Sequence, residues 1–265
     1  MCNHAKHFFN RGWCKFAADA RLLHWVEGAR PAARAARADP AQEKWLRYQA
    51  TWFAGVNVLD NNAAGEVGRS GPLQGRVADF IAAELKLEGF DWDSAQVSIC
   101  YPGYPQTMQG ESPARTRYRR DRDAAHVDGL LREGPQQRRH LREYHGFILG
   151  IPMVEFDPGA SPFVVWEGSH EIMRNRFVER FAGIEPEQWG EQDITEVYHA
   201  AREQAFAACR RVEIHATPGE VFLVHRLLLH GMAPWSETAQ AGPDGRMICY
   251  FRPDTGGPRE WLHNP

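Results

Sequence analysis

The tripeptide His126-Val127-Asp128 and a distant His230 place two imidazoles and one carboxylate in a single chain. That donor set can grip a first-row metal by one face and leave the opposite positions open, as in non-haem Fe(II) oxygenases. If residues 124–130 begin as a strand, alternation points His126 and Asp128 the same way, so both can reach one ion. The segment from Thr217 to Gly231 supplies the third donor. Pro218-Gly219 suits the central positions of a type II turn, where glycine tolerates positive φ. Glu220 to Val224 then reads as an apolar strand ended by His225, and His230-Gly231 opens the next. His230 is the expected ligand and His225 the fallback, the remaining one being a buried, hydrogen-bonded histidine.

A second cluster follows in Gly245-Arg246-Met247-Ile248-Cys249-Tyr250-Phe251-Arg252-Pro253, which alternates as a strand. Arg246 and Arg252 are an even number of residues apart and share a face. A dicarboxylate that chelates a metal at one end needs a cation at the other, and a guanidinium binds a carboxylate as a fork. Arg246, nearer to His230, is the expected anchor.

In this order the pieces resemble the phytanoyl-CoA dioxygenase family, a branch of the Fe(II)- and 2-oxoglutarate-dependent oxygenases. The resemblance is carried by His126-Val127-Asp128, by Gly168-Ser169-His170 after the apolar run Pro162 to Trp166, by Pro218-Gly219-Glu220-Val221-Phe222 leading into Leu229-His230-Gly231, and by Arg246. It spans roughly residues 97–252 and implies iron held by His126, Asp128 and His230. It also implies 2-oxoglutarate tied through its far carboxylate to Arg246, with O2 as oxidant and a small organic substrate. Many relatives carry a small hydroxyl residue two positions after the second histidine and an asparagine further on. Here those places hold Met232 and Trp235, which alters the accessory contacts to the cosubstrate. In halogenating relatives a small residue replaces the carboxylate, so Asp128 argues against halogenation. Two other readings fit the same donors: a zinc hydrolase or lyase using a metal-bound water, and a non-catalytic jelly-roll binding module.

At 265 residues and 43% hydrophobic content the chain can bury one good-sized core. A single domain over 1–265 is expected. A net charge of -3 argues against a general nucleic-acid or membrane-surface partner. Arg115, Arg117, Arg119, Arg120 and Arg122 form the one basic cluster, read either as a solvated loop or as a selector of an anionic substrate. No stretch is long and apolar enough to cross a bilayer, and the five cysteines are scattered and odd in number, which points to a cytoplasmic address. Cys2, His4, His7 and Cys14 match no standard zinc-finger spacing.

The positioning elements read as mainly β with flanking helices: a double-stranded β-helix (jelly roll, cupin-like) over 95–255 behind a helical flank over 1–90. Asp39-Pro40 with Gln42 looks like a capped helix start running through Trp45 and Tyr48. Val77, Phe80, Ile81 and Leu85 form an amphipathic helix, and residues 29–38 are helix or linker. The aromatic-rich flank is read as packing. Alternation in 96–101, then 145–154, 162–166, 211–215, 220–224 and 246–251 gives the strands. A helical insertion lies at about 171–210; within it, 193–209 starts at an Asp193 cap with Glu196 as box partner and is expected to flank or cover the barrel mouth. Tyr101, Tyr104, Trp166, Tyr250 and Arg252 are candidate pocket walls, and His145 and His170 are histidines with structural or supporting roles. The oligomeric state is not legible.

Overall fold

The structure, a computed structural model, describes residues 3–87, 89–254 and 256–264. Its strands are β1 (Trp13–Phe16), β2 (Leu46–Arg47), β3 (Trp52–Phe53), β4 (Gln96–Cys100), β5 (Leu130–Glu133), β6 (Arg138–Leu141), β7 (Phe147–Pro152), β8 (Phe163–Trp166), β9 (Arg211–Ile214), β10 (Val221–His225), β11 (His230–Met232) and β12 (Arg246–Phe251). The helices are α1 (Asn3–Arg11), α2 (Ala20–Ala38), α3 (Arg76–Glu84), α4 (Pro113–Asp121), α5 (Ser169–Phe181), α6 (Thr195–Ala208) and α7 (Pro258–His263). A seven-stranded antiparallel sheet in the order β1-β10-β7-β12-β4-β3-β2 faces a three-stranded sheet β11-β8-β9, with β5-β6 as a separate hairpin. No helix among the described residues is long and apolar enough to cross a membrane.

The large sheet is covered on both faces, which is why its central strands read as nearly unbroken apolar runs. On β12, Met247, Cys249 and Phe251 pack with Trp25, Val26, Val77, Phe80 and Ile81 of the outer helices. Ile248 and Tyr250 point the other way and meet Phe163 and Val165 of the small sheet. Arg246 and Arg252 share that inner face by parity. Residues 29–38 are the end of α2, whose N-cap Asp19 accepts from the Arg21 amide. The small sheet is backed by α5 and α6 through Met173, Phe177, Phe181, Tyr198 and Ala201.

Three local expectations change. Asp39 does cap a helix, but it is a 3-10 segment, Pro40–Trp45, because the chain must turn at once into the β2-β3 hairpin. Tyr48, Gln49 and Ala50 take left-handed backbone to make that turn. Residues 124–130 are not a strand at their start; His126 makes an isolated bridge with His230. In α6 the helix begins at Thr195, the Asp193 carboxylate accepts from the Thr195 amide, and Glu196 pairs with Arg138 instead of reaching back.

Between the sheets, Gly150 of β7 lies beside Phe222 of β10 and Tyr250 of β12. A β-carbon there would sit 2.2 Å from the Phe222 ring, so the ring occupies space that only glycine leaves. Gly150→Ala is expected to cost about 1–3 kcal/mol by overpacking, measured as a lower thermal midpoint. An unchanged midpoint would contradict this packing of the barrel interior.

Candidate metal centre

Two backbone hydrogen bonds bring the distant histidines together. The His126 amide donates to the His230 carbonyl at 2.8 Å and the His230 amide returns the bond at 3.0 Å. The rings lie with centroids 4.6 Å apart. Each ring is then turned by its own chain: His126 Nδ1 is 3.0 Å from the Ala124 carbonyl and His230 Nδ1 is 2.9 Å from the Leu228 carbonyl. A carbonyl can only accept, so both Nδ1 atoms carry a proton, which leaves the two Nε2 atoms as the positions where a metal would bind. Carbonyl-locked tautomers of this kind orient metal-binding imidazoles.

Asp128 completes the group. Its Oδ1 is 3.2 Å from His126 Nε2 and its Oδ2 is 3.6 Å from His230 Nε2. The three donor atoms all lie within 4.8 Å of one another, and this is the one such cluster found among the described residues. His230 is buried and its Nε2 has no hydrogen-bond partner. Burial works to raise the Asp128 carboxyl, but the Arg252 guanidinium and the two imidazoles outweigh it and hold it well below the usual carboxylate range. Burial lowers His230, with Asp128 partly offsetting it. A carboxylate and a neutral imidazole are the protonation states a divalent metal requires.

Several neighbours fix this geometry. Arg252 Nε reaches Asp128 Oδ2 at 2.6 Å while its Nη1 holds Gln96 Oε1 at 2.7 Å. The Tyr198 hydroxyl on α6 accepts from the Val127 amide at 3.3 Å. Ser169 Oγ accepts from the Leu229 amide at 2.9 Å, just before His230. Phe163 stacks on the His230 ring at 5.3 Å. Gly231 is required for close approach: a β-carbon there would meet the Asp123 carbonyl at 2.2 Å.

The donors open into a cavity of about 550 Å³. Tyr104, Tyr250, Arg252 and His145 line it; Tyr101 and Trp166 do not. Tyr48 and Trp52, read from sequence as packing, do line it, as do Asp93 and Gln96. No residue of α6 lines it, so that helix braces the ligand loop from behind and does not cover the mouth. The five arginines of the basic cluster lie on or just after α4, and none lines the cavity. Arg119 instead pairs with Glu111 and sits 3.7 Å over the Tyr48 ring; the cluster is therefore not placed to select an anionic substrate. His225 is buried away from the centre, accepting from the Leu227 amide and lying 2.9 Å from Arg174 Nη2. His170 meets the Phe9 carbonyl. In the N-terminal group, His4 stacks on Phe16, Cys14 is buried, and Cys2 lies outside the described residues.

Arg246 is fully buried, behind the cavity-lining Met232 and Tyr250. Its Nη2 donates to the Tyr250 hydroxyl at 3.0 Å, its Nη1 is 3.7 Å from Met232 Sδ, and its Nε has no partner. Among the described residues no carboxylate forms a salt bridge with it.

No family model matches the chain, and no curated protein does. Solved structures match over nearly its whole length. The non-haem alpha-ketoglutarate-dependent carbocyclase SnoK from nogalamycin biosynthesis aligns with a TM-score of 0.55 at 11% identity, covering 96% of this chain and 83% of SnoK. EctD from S. alaskensis, solved with 2-oxoglutarate and 5-hydroxyectoine, aligns with a TM-score of 0.51 at 17% identity, covering 96% and 76%. The chain has their fold. The mainly β, jelly-roll architecture with a helical N-terminal flank is the one its sequence implies.

The centre predicts one tightly held divalent ion per chain, measured by anaerobic Fe(II) or Mn(II) titration. His230→Ala should abolish it. Gly231→Ala, which forces the ligand pair off Asp123, should weaken it about 10- to 100-fold, the range seen when groups that orient ligands are disturbed. Unchanged affinity in His230→Ala would show that the three side chains share no ion.

Proposed function

We propose that this chain is an Fe(II)- and 2-oxoglutarate-dependent oxygenase acting on a small organic substrate, with its whole length serving as one catalytic domain. The observation that carries the reading is the convergence of His126 Nε2, His230 Nε2 and an Asp128 oxygen within 4.8 Å of one another, with both Nδ1 atoms turned to backbone carbonyls. Two imidazoles with one carboxylate suit ferrous iron.

The buried, counterion-free Arg246 supports 2-oxoglutarate as the partner ligand. An isolated buried charge is costly, and the far carboxylate of a dicarboxylate would neutralise it. Arg252 is less suited to that task because its guanidinium already holds the ligand carboxylate of Asp128. A zinc hydrolase has no use for such an anchor, and a binding module has none for a carboxylate kept ionised beside two bare imidazole nitrogens. The fold shared with SnoK and EctD adds support. The motif order favours the phytanoyl-CoA dioxygenase branch, with Met232 and Trp235 as its departures.

When bound, iron with 2-oxoglutarate and O2 would supply oxidation of a substrate C–H bond, with release of succinate and CO2. The chain's own part is positional. His126, Asp128 and His230 would hold the metal, Arg252 steadies Asp128, Arg246 would fix the cosubstrate, and Phe163 and Tyr250 form apolar wall that limits water.

Succinate formation should therefore require both Fe(II) and 2-oxoglutarate and rise when a substrate is present. Arg246→Ala should raise the concentration of 2-oxoglutarate needed about 100-fold, the loss expected for a charge-assisted pair of about 3 kcal/mol, with metal affinity little changed. Full turnover without 2-oxoglutarate would overturn the assignment.

A further inference from the structure

The charges around the cavity are unequally satisfied. Its two guanidinium groups are both engaged by the protein: Arg252 on Asp128 and Gln96, and Arg142 on Glu133 and the Gly190 carbonyl. Among its carboxylates, Asp128 belongs to the metal centre, Asp123 is paired with Arg211, and Glu143 is paired with His145. Asp93 and Asp254 differ. Asp93 accepts from the Arg252 amide at 2.8 Å and Asp254 from the Gly256 amide at 3.3 Å, and no salt bridge to either occurs among the described residues. The cavity lining thus presents two carboxylates outside any salt bridge among the described residues, while both of its own guanidinium groups are taken up; the unpaired Arg246 lies behind the lining at Met232 and Tyr250 and hydrogen-bonds those two residues, not either carboxylate.

These two belong to one corner. Asp93 is tied to Arg252, and Asp254 bridges to His145, which lines the same cavity. Aromatic rings continue the wall. Gln96 and Ser98 are successive inner-face residues of β4; Gln96 holds Arg252 and Ser98 Oγ accepts from Trp52 Nε1 at 2.9 Å. The indole is therefore anchored two residues, about 7 Å of strand rise, from the Gln96 position that holds Arg252. Tyr48 lies parallel to Trp52, with Tyr104 edge-on to both. Carboxylates beside aromatic faces form the surroundings that attract an organic cation.

We propose that the substrate of this cavity is an organic cation, an amine or alkylammonium compound, whose charged nitrogen rests against Asp93 and Asp254 and whose apolar part lies along Trp52 and Tyr48. The proposal deepens the oxygenase reading and rests on it for the reaction. Burial lifts the Asp93 carboxyl to about 6, with Arg252 and His145 partly offsetting the rise. The group is ionised at neutral pH yet poorly solvated, the condition in which a cationic partner gains most. The cavity's size also suits a small molecule.

The test uses the full chain and three probes that differ mainly in charge: phenethylammonium, 2-phenylethanol and 3-phenylpropionate. Binding is read by calorimetry or tryptophan quenching, with and without Mn(II) and 2-oxoglutarate under anaerobic conditions. The ammonium probe is expected to bind about tenfold or more tighter than the alcohol, as one poorly solvated ion pair with aromatic contact allows, and the carboxylate weakest. Asp93→Asn should erase most of that preference, and the exposed Asp254→Asn should reduce it without risk to folding. No preference for the ammonium, whether because the alcohol binds equally or because no probe binds, overturns the proposal, as does a preference unchanged in both variants. Mn(II) and 2-oxoglutarate binding, measured before any probe is added, fails only if the oxygenase reading fails, so the two outcomes are separable.

Discussion

The structure depends on a convergence of three donors from two distant segments that the fold holds in place. Two imidazole nitrogens and a carboxylate oxygen face one another within 4.8 Å, and the carbonyls of Ala124 and Leu228 engage the two Nδ1 atoms so that each Nε2 turns inward. The strands around the site hold that arrangement in place. The reciprocal amide bonds between His126 and His230 join a loop to a strand of the small sheet, the missing side chain at Gly231 lets the backbones close in, and Tyr198 and Ser169 fasten each partner from the helical side. Folding energy from the surrounding cores holds together groups that would separate in a free peptide.

Two arginines on one face of the same sheet region perform opposite electrostatic tasks. Arg252 spends its charge inside the protein, keeping Asp128 ionised despite burial. Arg246 is buried among the Tyr250 phenol, the Met232 thioether, the Cys100 thiol and the Phe156 ring, with its Nε unpartnered and no carboxylate in a salt bridge with it among the described residues. An engaged cation stabilises the resting site, and an unengaged one leaves a demand that only an incoming anion satisfies. The acidic corner at Asp93 and Asp254 is the mirror of this arrangement, a demand for a cation in the same cavity.

Much of the centre was legible because its donors are rare residue types in short, ordered motifs, and because parity along a strand determines which arginines share a face. The β-rich core was legible for a similar reason: a sheet buried on both sides writes apolar runs into β7 and β10, and alternation marks β4 and β12. What sequence missed came from register. Trp52, Gln96 and Asp93 reach the cavity only because β3 pairs with β4 and β4 with β12, and no local pattern announces such pairing. The same limit explains the errors. A capping signal at Asp39 fixes a helix start but not its type, since the turn at Tyr48 to Ala50 lies outside it. Of the two readings of the α4 arginines, solvated loop and anion selector, the second loses its support when Glu111 and the Tyr48 ring are seen to take up Arg119. The stripe on α6 correctly signals burial, while its role as a brace under Val127 depends on a single tyrosine hydroxyl.

X-ray absorption spectroscopy of the anaerobic Fe(II)-loaded chain tests the central claim most directly. The account predicts a shell of nitrogen and oxygen neighbours at about 2.0–2.2 Å, with multiple scattering from two imidazoles that falls to one in His126→Ala. A sulfur shell, or fewer than two imidazoles in the unaltered chain, would contradict it.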